Sequence, residues 1–144
     1  NRTNPHMKFI IKLAIETAMR RSEIANIKPE HVKGNILKIP VAKTKPRTIP
    51  LTPKAVQLLE DNLPIRMSSN AIHLSWVRLT KKHGIEDARF HDLRHEGLSR
   101  MFEVKSLNVP EVQLISGHLE PRTLMRVYAN LRPKDLADKL AKME

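Results

Sequence analysis

With 144 residues, 40% of them apolar but only 3% aromatic, the chain holds enough material for one domain whose core is built from Leu, Ile, Val, Ala and Met. It has no cysteine, which excludes disulfides, thiolate catalysis and cysteine-type zinc sites, and no apolar run approaches the roughly 20 residues of a membrane span. A net charge of +11 is large for so small a domain and favours a polyanionic partner, a nucleic acid before any other.

Residues 5 to 27 read as helix in two segments. Phe9, Ile10, Leu13, Ile15 and Ala18 give the apolar stripe of the first, Ser22-Glu23-Ile24 restarts a short second one after Arg20, and Pro29 stops it. From 35 to 51 the pattern changes. Ile36, Leu37, Ile39 and Val41 favour a strand, a basic turn Lys43-Thr44-Lys45-Pro46-Arg47 follows, and Thr48-Ile49-Pro50-Leu51 returns, so the spacing predicts a β-hairpin with three cations at its tip. Thr52-Pro53 opens a helix with a cap and a proline at its first position, and Ala55, Leu58 and Leu59 form its buried face. Residues 62 to 68 read as a loop. Ser69 or Asn70 caps a helix that runs to His83 and ends at Gly84, with Trp76 in the core rather than offered as a stacking platform. A central helix spans 91 to 104 and turns Leu93, Leu98, Met101 and Phe102 inward. Short helices over 110–115 and 122–129 follow, and a last one over 133–142 buries Leu136 and Leu140. The fold class predicted is mainly α with a small antiparallel β-sheet (α+β), in one domain over residues 1–144.

The chemistry gathers on Phe90-His91-Asp92-Leu93-Arg94-His95. His91 and Arg94 are three apart, so one helix face carries a group that moves protons and a planar fork that grips phosphate. Arg20 lies upstream, and Gly117-His118 and the lone tyrosine, Tyr128, lie downstream. A phenol is a weak nucleophile until a proton acceptor and nearby positive charge assist it, and Arg20, Lys43, Arg94 and two histidines offer both. A pair of guanidiniums suits the charge that builds on the oxygens of a phosphodiester under attack. His91 and His95 are four apart, but Asp92 stands where the zincin helix needs Glu, and Glu16, Glu23, Asp92 and Glu96 do not read as a two-metal cluster. With four glycines in all there is no glycine-rich phosphate loop.

Five boxes in this order resemble the tyrosine recombinases, or phage integrase family: Thr17-Ala18-Met19-Arg20-Arg21-Ser22-Glu23, the hairpin lysine motif from Ala42 to Leu51, His91-Asp92-Leu93-Arg94-His95, Leu114-Ile115-Ser116-Gly117-His118, and Tyr128. The resemblance covers residues 5 to 135. It implies the integrase catalytic-domain fold, here as the C-terminal domain of a longer recombinase whose N-terminal DNA-clamping domain is absent. It also implies roles. Tyr128 attacks a DNA phosphodiester and forms a 3′-phosphotyrosyl link; Arg20 and Arg94 hold the phosphate; His91 takes the tyrosine proton; Lys43 protonates the leaving 5′-oxygen; His118 hydrogen-bonds the phosphate. Lys43, Lys45, Arg47, Arg21 and Arg89 are expected to contact DNA, and His95 to be structural. No metal, nucleotide or other cofactor is called for. The partners implied are double-stranded DNA and further copies of the chain, a tetramer on DNA, with possible exchange of the C-terminal helix, in the cytoplasm of a bacterium at its nucleoid. A type IB topoisomerase-like nicking and closing activity and an inactive DNA-binding module are the alternatives.

Overall fold

The computed structural model describes residues 5–40, 46–117, 121–131 and 133–143. Helix predominates among them: α1 (Pro5–Thr17), α2 (Arg21–Ala25), α3 (Pro53–Asn62), α4 (Ser69–Lys82), α5 (His91–Glu103), α6 (Val109–Ser116), α7 (Arg122–Leu131) and α8 (Pro133–Lys142), with a single 3-10 turn at Pro29–His31. The strands β1 (Val32–Lys33), β2 (Ile36–Ile39) and β3 (Arg47–Pro50) form one antiparallel sheet in that order, with Leu37 opposite Ile49 and Ile39 opposite Arg47. The expected hairpin is therefore present, and the two-residue β1 adds a third strand to it.

Local chemistry sets most boundaries. The Thr52 hydroxyl accepts the Ala55 N–H at 3.1 Å and so caps α3, with Pro53 at the first helical position. Ser68, one residue before the expected pair, caps α4 by accepting the Ala71 N–H at 3.0 Å. Asn108 and Glu111 satisfy each other's backbone N–H groups at 2.9 Å, a reciprocal box that fixes the start of α6. Gly117 ends α6 in the left-handed region at φ 76°.

Two apolar clusters make the core. One joins α1, the sheet, α3 and α4 through Ile10, Leu13, Met19, Leu37, Ile49, Leu59, Ile72 and Phe90. The other joins α5, α6 and α7 through Leu98, Met101, Phe102, Val112, Leu124 and Val127. Each such side chain, fully buried, contributes about 1.5–3 kcal/mol. Helix α5 passes from one cluster to the other: Phe90, at its mouth, belongs to the first, and Leu98, Met101 and Phe102 belong to the second. Its crossing with α1 is tight, since a Cβ on Gly97 would lie 2.6 Å from the Ile15 carbonyl oxygen. Trp76 is half-buried as expected, donating its indole N–H to the Ala88 carbonyl at 3.0 Å and meeting Phe90 edge-on at 5.7 Å.

One expectation is corrected. Leu140 on α8 is 64% exposed rather than buried, and Met143 beside it is 77% exposed. An amphipathic stripe states that a face is apolar and does not state what covers it. The Leu136 side chain lies outside the described residues. No helix among the described residues is long and apolar enough to cross a membrane.

Candidate active site

The seam between the two apolar clusters is polar. At the end of α1 the chain turns through Ala18, whose φ of 57° is unusual for a residue with a Cβ and points its carbonyl at α5. There Arg94, only 3% exposed, donates Nη1 to the Ala18 carbonyl at 2.6 Å and Nη2 to the Ser116 carbonyl at 3.0 Å. One guanidinium thus ties the ends of α1 and α6 to the start of α5. Arg20 approaches the same Ser116 oxygen through Nη1 at 3.5 Å. Burial, and then repulsion from Arg20, bring the Arg94 pKa from the ordinary arginine value down to about 10. At neutral pH it remains charged.

His91 opens α5 one turn before Arg94 and reaches the same space. Met19, Arg20, Arg21, Ser22, Ser69, Phe90, His91 and Arg94 together line a cleft of about 280 Å³. Desolvation, then the positive charges of Arg94 and Arg20, hold the His91 imidazole below its usual pKa, so the neutral, proton-accepting form prevails at pH 7. Arg21 lies at the far end of the cleft, where its Nε donates to the Ser69 hydroxyl at 3.0 Å. A larger groove of about 630 Å³ on the other side of Arg47 is walled by Pro50, Leu51, Met101, Leu107 and Leu114 and is mainly apolar.

Beneath the cleft sits Glu23, 3% exposed, a residue the sequence reading gave no role. It accepts Arg47 Nη1 at 2.6 Å, Arg47 Nη2 at 3.0 Å and the Arg20 backbone N–H at 3.0 Å. Burial works against its charge, but the bonds from Arg47 and from the Arg20 backbone outweigh it and hold the carboxyl below the usual range. Arg47 was expected among the cations that meet DNA at the hairpin tip; instead it faces inward. It shares the inner face of β3 with Ile49, its Nε donates to the Ile115 carbonyl at 2.9 Å, and its side chain is 8% exposed. The period of two along a strand carries this signal: Ile49 is core, so Arg47, two residues earlier, points the same way.

The remaining site residues divide. Arg89 is exposed beside α5, and its backbone N–H meets Asp92 at 2.9 Å. His95 is exposed on α5. Lys43, Lys45 and His118 lie outside the described residues. Tyr128 is half-buried on α7, its ring edge-on to Phe102 with centroids 5.2 Å apart. Phe102 stands eight residues beyond Arg94, about 12 Å along α5, and Tyr128 is not among the residues lining the cleft. The structure brings Arg20, His91 and Arg94 together at one cleft. Among the described residues no three of His, Asp and Glu gather as a metal-binding set.

Comparison with known proteins follows the same lines. The phage integrase family model matches residues 2–135. The chain belongs to the phage integrase family. This family of tyrosine recombinases is a class of DNA breaking and rejoining enzymes, and its motif order is the one read along the sequence. The chain is 38% identical to a shufflon-specific DNA recombinase of Escherichia coli over 147 residues, covering 95% of this chain and 38% of that protein. It is 31% identical over 129 residues to an integrase/recombinase of Haemophilus influenzae, covering 80% of the chain and 34% of that protein. It therefore spans little more than a third of the curated relatives it matches. Among solved structures, the Tn1549 transposon integrase bound to transposon right-end DNA superposes with a TM-score of 0.81 at 15% identity, over 99% of this chain and 60% of that one. XerA recombinase superposes with a TM-score of 0.70 at 21% identity, over 96% of this chain and 57% of that one. These likenesses show the integrase catalytic-domain fold.

Proposed function

We propose that the chain is the catalytic domain of a site-specific DNA recombinase that exchanges strands through a 3′-phosphotyrosyl intermediate. The observation that carries this is the meeting of Arg20, His91 and Arg94, from two distant parts of the chain, around one cleft small enough for a phosphate. The two guanidiniums hold the non-bridging oxygens and stabilise the charge that grows on them. The Tyr128 oxygen attacks phosphorus, its proton passes to neutral His91, and the 5′-oxygen leaves with a proton from Lys43. One phosphodiester is exchanged for another, so the strand is resealed by the reverse attack and no nucleotide is consumed. His118 supplies a further hydrogen bond to the phosphate. Fixed cations do the electrostatic work, and this reading assigns no metal or cofactor.

The partner in this reading is double-stranded DNA, with Arg21, Arg89 and the hairpin lysines Lys43 and Lys45 on its backbone. An N-terminal clamp belongs to the longer protein. The exposed Leu140 of α8 and Met143 just beyond it suit packing on another copy, in a tetramer assembled on DNA in the bacterial cytoplasm. The E. coli relative is named a shufflon-specific DNA recombinase, which favours recombination over simple nicking and closing.

The test is a duplex nicked so that the released end diffuses away. The chain should form a covalent adduct that Tyr128→Phe abolishes and that persists in EDTA. An adduct surviving Tyr128→Phe would refute the nucleophile, and loss of cleavage in EDTA would indicate a metallonuclease.

A further inference from the structure

An anion-binding cleft whose Arg20 is in contact with a buried carboxylate poses a physical problem. Glu23 Oε2 already forms an ion pair with Arg20 Nη1 at 3.6 Å, just beyond hydrogen-bond distance. A buried carboxylate must have donors, and a guanidinium engaged with a carboxylate is a poorer partner for phosphate. The structure resolves this with Arg47. Its fork takes both Glu23 oxygens, at 2.6 and 3.0 Å. Its Nε is held by the Ile115 carbonyl, and it lies so close over Gly117 that a Cβ there would stand 2.9 Å from three of its atoms. Arg47 is thus fixed by β3 and by the end of α6, and among the described residues it is the side chain that hydrogen-bonds Glu23.

We infer that Arg47 is a positioning residue for strand transfer: by taking both Glu23 oxygens it holds the Arg20–Glu23 ion pair short of a direct hydrogen bond, and so leaves the Arg20 donors, with those of Arg94, for the cleft. This rests on the strand-transfer reading and adds to it a residue that touches neither DNA nor the reacting atoms. Without Arg47, the unmet Glu23 oxygens close the short remaining gap to Arg20 Nη1. The Arg20 donors are then drawn to the carboxylate, and one of the two phosphate-holding guanidiniums is more fully neutralised. The arrangement also accounts for a carboxylate three residues after the first arginine: its oxygen caps the Arg20 backbone N–H and sets the start of α2, and Arg47 limits the electrostatic cost of placing it there.

The experiment compares Arg47→Met, Arg47→Lys and the double variant Arg47→Met/Glu23→Gln in the full chain. Three readouts are taken: covalent adduct with nicked duplex, the salt dependence of duplex binding, and the melting temperature. Arg47→Met should slow adduct formation by on the order of tenfold and lower the magnitude of the salt slope by about one. The double variant, which removes the carboxylate charge as well, should regain most of the adduct rate and the slope while melting no higher than the single variant. Arg47→Lys, which keeps a cation on Glu23, should stay within about threefold of the parent rate; it also decides the matter should Arg47→Met not fold. The proposal is overturned if Arg47→Met matches the parent, if adduct formation tracks melting temperature across the set, or if folded Arg47→Lys is severely impaired. If the parent itself forms no adduct, the strand-transfer reading has failed, and the salt slopes still judge the role of Arg47.

Discussion

The two ends of α5 are built differently. Around His91 and Arg94, groups from α1, α2, β3 and α6 meet through hydrogen bonds that span as many as 96 residues, from Arg20 to the Ser116 carbonyl. Around Phe102, eight residues on, the contacts are apolar: Leu98, Met101, Val109, Val112, Leu124 and Val127, with Tyr128 packed at their edge. Hydrogen-bonded carbonyls fix a guanidinium in angle and distance, whereas apolar packing is non-directional and holds a ring by shape alone. In the proposed mechanism the half that holds the phosphate is thus the hydrogen-bonded one, and the half that carries Tyr128 is held by apolar packing. The first test of this contrast is to remove the buried cation. Arg94→Met should lower adduct formation by about 10²–10³. Its burial opposes the charged state, as the drop to about 10 shows, so an apolar side chain of similar reach removes a desolvation cost. For a base with a lowered folded-state pKa, that cost is present at neutral pH and is relieved only as pH rises through the folded value. The melting temperature should therefore hold or rise while activity is lost. A large fall in both would show that the Ala18 and Ser116 carbonyls depend on Arg94 more than its desolvation costs.

That hydrogen-bonded half was only partly legible in the sequence. His91 and Arg94 could be placed on one face because helix spacing is local, and Arg20 because its motif is short. The bonds from Arg94 to Ala18 and Ser116 have no local signature, since nothing in a sequence states which carbonyl will face which guanidinium. Arg47 misled for a different reason. It ends a run of cations that reads as uniformly exposed, and only the strand alternation through Ile49 shows that it turns inward. Glu23 seemed one charge among many because its burial depends on β3 folding over it. Helix α8 gave the reverse error: its stripe reads as core, yet Leu140 is exposed.

A second, smaller effect separates the cleft's scaffold from an open turn. Gly117 and Gly34 both adopt positive φ, at 76° and 60°. Replacing either with alanine costs about 1–2 kcal/mol for the left-handed backbone. At Gly34 the added methyl meets open space, whereas at Gly117 it would strike the Arg47 guanidinium at 2.9 Å. Gly117→Ala should therefore be the more destabilising by about 1–3 kcal/mol, read as a difference in urea midpoint, and it alone should slow adduct formation. Equal losses at the two sites would show that Arg47 gives way freely and is not part of a fixed frame.

The smallest effect concerns His91, which is solvent-exposed, so its electrostatics are tuned rather than dominated by its neighbours. Desolvation and the charges of Arg94 and Arg20 lower its pKa. The sign follows for a base: the folded chain takes up the proton less readily than the unfolded one. Any stability penalty is absent above the ordinary histidine range and develops as pH falls through that range toward the lower folded value. The acid limb of adduct formation should accordingly have its midpoint below 6.5, the ordinary value for the imidazole. Adduct formation cannot report the contribution of Arg20, because in the proposed mechanism the same guanidinium holds the phosphate. The His91 ring resonance can. In Arg20→Gln it should titrate at higher pH than in the parent, and in Arg89→Gln, where the changed group stands outside the cleft, it should not move. A His91 midpoint indifferent to Arg20 would mean that solvent screens the two groups from each other and that the cleft's charges act independently.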